Sequence, residues 1–171
     1  MGLSVAISGA IILSVMMLIV LGMPSVFEKV FSIGEVSSEI SSLEESLLRT
    51  DLSMDSLAAV SGSPLINFTL NNDGQEKLWN FEKFDLIITY DGISGRSTEP
   101  LSYSGQCMGA SPSVLNWCLQ GISGDILDPG ILNNGEGASI RTQISDDLSS
   151  GIVIVLVVSD NGVPTTLSTT T

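Results

Sequence analysis

Histidine is absent from the 171 residues, which removes the commonest general base and the commonest side-chain metal ligand. Basic residues are scarce, 6 Lys+Arg against 19 Asp+Glu for a net charge of −13. Counterion release from a phosphate backbone needs clustered Lys and Arg, so the balance argues against nucleic acid as a partner. Charge of either sign is thin, at 15% of residues, while 43% are hydrophobic. That pairing points to a chain that keeps part of itself in lipid. Trp79, Trp117, Tyr90 and Tyr103 are the only Trp or Tyr residues, so a sugar-binding or sensory module with an aromatic-lined site is possible but unforced.

Motifs for chemistry are missing as well. The chain has no Gly-rich phosphate loop, no Walker sequence and no dinucleotide fingerprint. Gly105-Gln106-Cys107-Met108-Gly109 echoes a nucleophile elbow, but no histidine exists to generate the thiolate. The adjacent acids Glu44-Glu45 and Asp146-Asp147 read as solvated surface rather than a glycosidase pair. Asp125-Ile126-Leu127-Asp128-Pro129-Gly130 lacks the spacing of an EF-hand loop and reads as a plain acidic turn. The sequence therefore predicts no enzyme, no catalytic residue, no metal and no cofactor.

What is present begins at the N-terminus. No residue from Gly2 to Met23 is charged, and about 20 helical residues suffice to span a bilayer core. A signal peptide would carry a basic n-region and a small-x-small cleavage site, and this segment offers neither. Residues 1–24 are expected to form a retained membrane or filament-core helix. Ser4, Ser8, Gly9, Ala10 and Ser14 would allow close helix approach on it. Pro24 is expected to kink its exit.

Beyond Pro24, Val26, Ile33, Ile40, Leu47 and Met54 recur every seven residues, and Val36, Leu43 and Leu57 fall three residues after three of them. This a/d seam predicts an amphipathic stalk helix over 25–60 that packs against sister chains.

Ser61-Gly62-Ser63-Pro64 marks a boundary, and helical periodicity ends there. Short apolar alternations follow at Leu65–Leu70, Asp85–Tyr90, Leu101–Tyr103, Asn116–Ile122, Ala138–Ile144, Ile152–Val158 and Thr165–Thr169. Asn72-Asp73-Gly74, Asp91-Gly92, Asn134-Gly135 and Asn161-Gly162 supply turn cues between them. About seven strands predict an immunoglobulin-like β-sandwich over 61–171, with Trp79 and Trp117 in or near its core. The expected fold class is thus α+β, a long N-terminal hydrophobic helix followed by that sandwich. Cys107 and Cys118, with no further Cys or His, cannot build a structural zinc site. They form either one loop-closing disulfide, which requires an oxidising compartment, or two free thiols; the disulfide is the reading adopted. Asn67-Phe68-Thr69 is a glycosylation sequon on the polar face of a predicted strand.

An uncharged N-terminal helix continued as a stalk and followed by a β-sandwich resembles the type IV pilin-like surface proteins of archaea. Met1-Gly2-Leu3-Ser4-Val5 running into the apolar segment is similar to the FlaF/FlaG-type stator proteins of the archaellum. Ala6-Ile7-Ser8-Gly9-Ala10-Ile11 is similar to the start of archaellin filament subunits. Ile131-Leu132-Asn133-Asn134-Gly135-Glu136-Gly137, Asn161-Gly162-Val163 and Phe81–Asp91 resemble segments of archaeal surface sandwiches. Two departures stand beside it: no glutamate precedes Glu28, and no basic leader precedes the helix. Either the chain is a mature product beginning at an unnatural Met or it is never processed, and the second possibility favours an accessory stator protein over a filament subunit.

The resemblance implies a structural part of the archaeal motility machinery, on the cell membrane with an extracytoplasmic domain or within a surface filament. It implies homo- or hetero-oligomers through the N-terminal helices, a membrane partner, and either surface-layer protein or sister filament subunits. The edge near Thr165–Thr171 would offer a strand-addition site.

Overall fold

The computed structural model describes the backbone of residues 2–107, 109–126 and 128–171, with side chains described in the helix at 7–20 and 40–49. The chain divides into two units, Met1–Glu44 and Glu45–Thr171.

Helix α1 runs Gly2–Arg49 and passes through position 24 without a break. Its side chains from Ile7 to Val20 are exposed. Among the described residues no helix is long and apolar enough to cross a membrane. The long N-terminal hydrophobic helix of the expected fold class is corrected on that ground; the side chains of residues 1–6 and 21–24 lie outside the described residues.

The stalk boundary also moves. The helix stops at Arg49, and strand β1 occupies Leu52–Ala59. Leu52 and Met54 are buried while Asp55 is exposed, a period of two that the heptad pattern had absorbed. Met54 and Leu57 therefore belong to the sheet and not to a helix seam. Thr50 ends the helix by turning its hydroxyl onto the Ser46 carbonyl at 2.9 Å.

The remaining strands are β2 (Leu65–Asn72), β3 (Asp85–Gly92), β4 (Gly95–Gln106), β5 (Asn116–Ser123), β6 (Gly137–Gln143), β7 (Leu148–Val158) and β8 (Pro164–Thr170). They form one eight-stranded sheet in the order β1-β2-β6-β5-β4-β3-β7-β8. Strands β1 and β8 lie beside one another, so the sheet nearly closes on itself like a barrel. The immunoglobulin-like sandwich is corrected accordingly, because one ladder runs through all eight strands. Strand β4 makes that continuity: it pairs antiparallel with β3 through Leu101, then parallel with β5 from Ser102. A bulge at Ser56 (φ 53°) interrupts β1, and such irregularities keep an edge from pairing along its length.

The enclosed core is aliphatic and aromatic. Ile66, Phe68 and Leu70 of β2, Leu86, Ile88 and Tyr90 of β3, and Val153, Val155 and Val157 of β7 all point inward. Trp117 is fully buried against Tyr103, ring centroids 4.6 Å apart. Trp79, expected near the core, is 64% exposed.

Candidate functional site

The sheet domain has two distinct ends. Strand β7 alone, with 11 residues at about 3.3 Å each, separates them by roughly 33 Å.

At the entry end the last turn of α1 is fastened to two loops. The Arg49 carbonyl accepts the amides of Gln75 (2.7 Å) and Glu76 (3.1 Å), which cap a helix terminus that would otherwise leave carbonyls unpaired. The Asn161 amide donates to Ser46 Oγ at 3.2 Å and to Thr50 Oγ1. A Cβ on Gly74 would collide with the backbone of Arg49 and Asp51, so only glycine fits that approach. Asn72 is fully buried at the centre: its amide donates to the carbonyls of Glu76 (2.7 Å) and Leu132 (2.9 Å), and its oxygen accepts from the Gly74 amide (3.1 Å).

At the distal end the β6–β7 connection gathers three other loops. Gly62 N–H donates to Leu148 O at 2.7 Å, Ile93 N–H to Asp147 O at 3.0 Å, and Leu115 N–H to Gln143 O at 2.8 Å. Each loop presents an aliphatic side chain outward: Val60 at 67% exposed, Ile93 at 69%, Val114 at 51% and Leu115 at 40%. Leu115 also sits at φ 60°, a left-handed backbone that costs a non-glycine residue about 1–2 kcal/mol. Polar groups fix this apolar rim from behind. Asp146 accepts the Ser94 amide at 2.7 Å, and that bond, its largest influence, holds the carboxyl below the usual carboxylate range. Asp91 is likewise depressed, chiefly by Arg96, whose Nε donates at 2.8 Å. Tyr90 is buried with its hydroxyl 3.4 Å from Ser145 Oγ, and burial pushes its pKa up.

Cys107 and Cys118 form a disulfide, Cα–Cα 5.2 Å. It closes the short crossover between the parallel strands β4 and β5, a connection that ordinarily needs a dozen or more residues. The return leads directly into Val114 and Leu115. Asn67 lies on the outer face of β2, half-buried, with its side-chain oxygen accepting Arg141 Nε at 3.1 Å. Of the helix seam, Ile40, Leu43 and Leu47 are exposed, whereas the side chains of Val26, Ile33 and Val36 lie outside the described residues. Asp125 accepts the Gly130 amide at 3.1 Å, closing an acidic turn. Among the described residues no three His, Cys, Asp or Glu side chains could together hold a metal ion. Strand β8 pairs with β7 on one side and has β1 beside it on the other, so the Thr165–Thr171 edge is not open in the way expected.

The distal cluster was not legible in the sequence. Val60, Ile93 and the adjacent pair Val114-Leu115 fall in three separate places along the chain, and only the pairing of loops to residues 143–148 brings them together. The one local signal was aliphatic residues at turn tips, where polar ones are usual.

No protein-family model and no curated protein matches the chain. Among solved structures, it is similar to the archaellum periplasmic stator protein FlaG from Sulfolobus acidocaldarius. The TM-score is 0.51 at 20% identity, over 70% of this chain and 99% of FlaG. The sheet domain shares the FlaG fold. A second match is the periplasmic stator protein complex of FlaF and FlaG from the same organism, with TM-score 0.50, 19% identity, and coverage of 69% of this chain and 87% of that one. The resemblance to FlaF/FlaG-type proteins read from the sequence is thus found again in the fold.

Proposed function

We propose that the chain is a non-enzymatic scaffold protein, a stator component of an archaellum-type motility machine outside the cytoplasm. The observation that carries this reading is the FlaG fold, which accounts for nearly all of that stator protein's length. The disulfide supports an oxidising, extracytoplasmic setting. A filament subunit is not favoured, since the fold likeness is to stator proteins.

In this reading the distal rim of Val60, Ile93, Val114 and Leu115 seats a sister subunit. The complex formed by the similar FlaF and FlaG proteins is the model for that contact, and exposed aliphatics gathered on one end are what a protein interface buries. A surface-layer protein is the rigid body against which such a scaffold would take up torque. The helix contributes separately. Ile7 to Val20 are exposed almost throughout their apolar length, and a helix apolar on every face needs cover. Packing with sister helices, continued through Ile40, Leu43 and Leu47, provides it.

Deleting the gene should leave filaments assembled and stop them turning, as seen by electron microscopy and by tracking of tethered cells. Cells without filaments would favour the subunit role instead. Within the helix, Leu43→Asp should lower crosslinked oligomer yield several-fold more than Glu44→Lys; equal effects would count against the helical seam.

A further inference from the structure

Among the described residues Trp79 is the one aromatic ring left largely open to solvent. Its position follows from the chain around it. Leu78 is buried and bridges Leu132 in antiparallel fashion, its amide donating to Leu132 O at 3.1 Å and its carbonyl accepting from Leu132 N–H at 2.7 Å. Alternation about that bridge turns Lys77 and Trp79 together to the outside, roughly 7 Å apart along the segment. The same register sets Lys77 against Asn133.

Lys77 and Asn133 open onto a recess of about 310 Å³, lined also by Gln75, Asp128, Asn134 and Glu136, at the small end of the range for ligand sites. All six lining residues are polar. Bonds within the domain hold them in place. Lys77 Nζ donates to Asp128 Oδ2 at 2.5 Å, the Asn134 amide donates to Gly74 O at 2.5 Å, and Glu136 Oε2 accepts the Asn133 backbone and side-chain amides at 2.8 and 3.2 Å. These bonds leave capacity unspent: further N–H bonds on Lys77, the Asn134 side-chain oxygen, the second carboxylate oxygens of Asp128 and Glu136, and the exposed amide of Gln75. Donors and acceptors are both on offer, one step along the segment from an open indole.

We infer that this surface is a docking site for a neutral glycan, with one pyranose ring on Trp79 and its neighbour hydrogen-bonded in the recess. A sugar ring has an apolar C–H face and a rim of hydroxyls that both donate and accept. It therefore suits an aromatic plate beside mixed polar groups. Other ligand classes fit less well. An aliphatic protein surface would leave the polar lining unpaired, in contrast to the distal rim of Val60, Ile93, Val114 and Leu115. A phosphate or an acidic sugar would meet Asp128, Glu136 and a chain of net charge −13. The recognised chemistry is the same whether the glycan is free or carried on a surface protein, and the experiment separates the two. The inference does not rest on the stator reading, so either can fail alone.

The probes are maltotriose, cellotriose, mannotriose and chitotriose, each free and coupled to serum albumin, titrated into the full chain by calorimetry and tryptophan emission. Trp117 is buried, so the iodide-quenchable emission belongs to Trp79. At least one sugar should bind saturably and shield that emission from iodide. Binding of the free sugar identifies a free glycan as sufficient; binding of the coupled form alone identifies a glycan carried on protein. Trp79→Ala should weaken binding by about tenfold or more, and Trp79→Phe by less, both with unchanged urea unfolding. Gln75→Ala should cost about three- to tenfold, whereas Ser168→Ala, on the exposed side of β8, should stay within about twofold. No saturable binding of any sugar in either form, equal binding of bare albumin, or full affinity in Trp79→Ala would overturn the site.

Discussion

At its entry end the sheet domain is held by neutral amides and hydroxyls: Asn72, Asn134, Asn161, Thr50 and Ser46 bond to backbone and to one another. At its distal end the loops are held by carboxylates, Asp91, Asp146 and Glu99, and the surface they support is aliphatic. The first arrangement spends these polar groups on the fold itself. The second places its polar groups behind a rim of exposed Val, Ile and Leu. One end fixes the chain where it enters; the other is shaped to be covered.

The sharpest way to break this contrast is at Asn72. Asn72→Ala would remove three hydrogen bonds from a buried centre, at about 1 kcal/mol each, leaving Leu132 O with the Leu78 amide and Gly74 N–H with Asp51 O as their remaining partners. A loss of about 3–4 kcal/mol in urea unfolding is expected, against about 1 kcal/mol or less for Asn134→Ala, which is exposed. Similar losses at both positions would mean that Asn72 is no hub. Next in size is the crossover. Cys107→Ser with Cys118→Ser removes a loop constraint worth about 2–3 kcal/mol. It should also loosen Val114 and Leu115, so partner capture should fall with stability.

The strands were legible because alternation survives on a sheet with one inner face: Ile66, Phe68 and Leu70 could be assigned inward from the pattern alone. Strand β1 was not, because Met54 and Leu57 happen to continue a seven-residue spacing begun in the helix. The period-two alternation of Leu52 and Met54 against Ser53 and Asp55, just after the helix-ending Arg49, was the discriminating signal. The sheet's near-closure was hidden for a different reason. It depends on β4 changing partners at Leu101 and Ser102, and neither residue type marks such a switch. For the candidate site, the disulfide was readable from an isolated cysteine pair, whereas the distal rim is a product of long-range pairing.

A surface substitution isolates the rim from the fold. Ile93→Asp, with Val60→Asp as a second variant, should change the unfolding free energy by no more than about 0.5 kcal/mol. Co-purification of a sister subunit should nonetheless be lost. If the variants retain the partner, the apolar end is not its seat.

The smallest effect is a matter of sequence in acid. Asp91 and Asp146 have folded-state pKa values below their unfolded ones, from Arg96 and from the Ser94 amide respectively. Their contribution is therefore fully present above the unfolded value and disappears as pH falls through the depressed folded value. The Asn72 and Asn161 side chains that hold the entry end do not titrate. Hydrogen exchange measured from pH 5 downward should then show the Ile152 and Ser94 amides, which donate to Asp91 and Asp146, losing protection before those of Gly74 and Gly135. Asp146→Asn should bring the Ser94 amide to its acid-state exchange already at pH 5 and leave Gly74 unchanged. Simultaneous loss at both ends would show that the domain opens as one unit, and the division of labour between its ends would then be chemical without being mechanical.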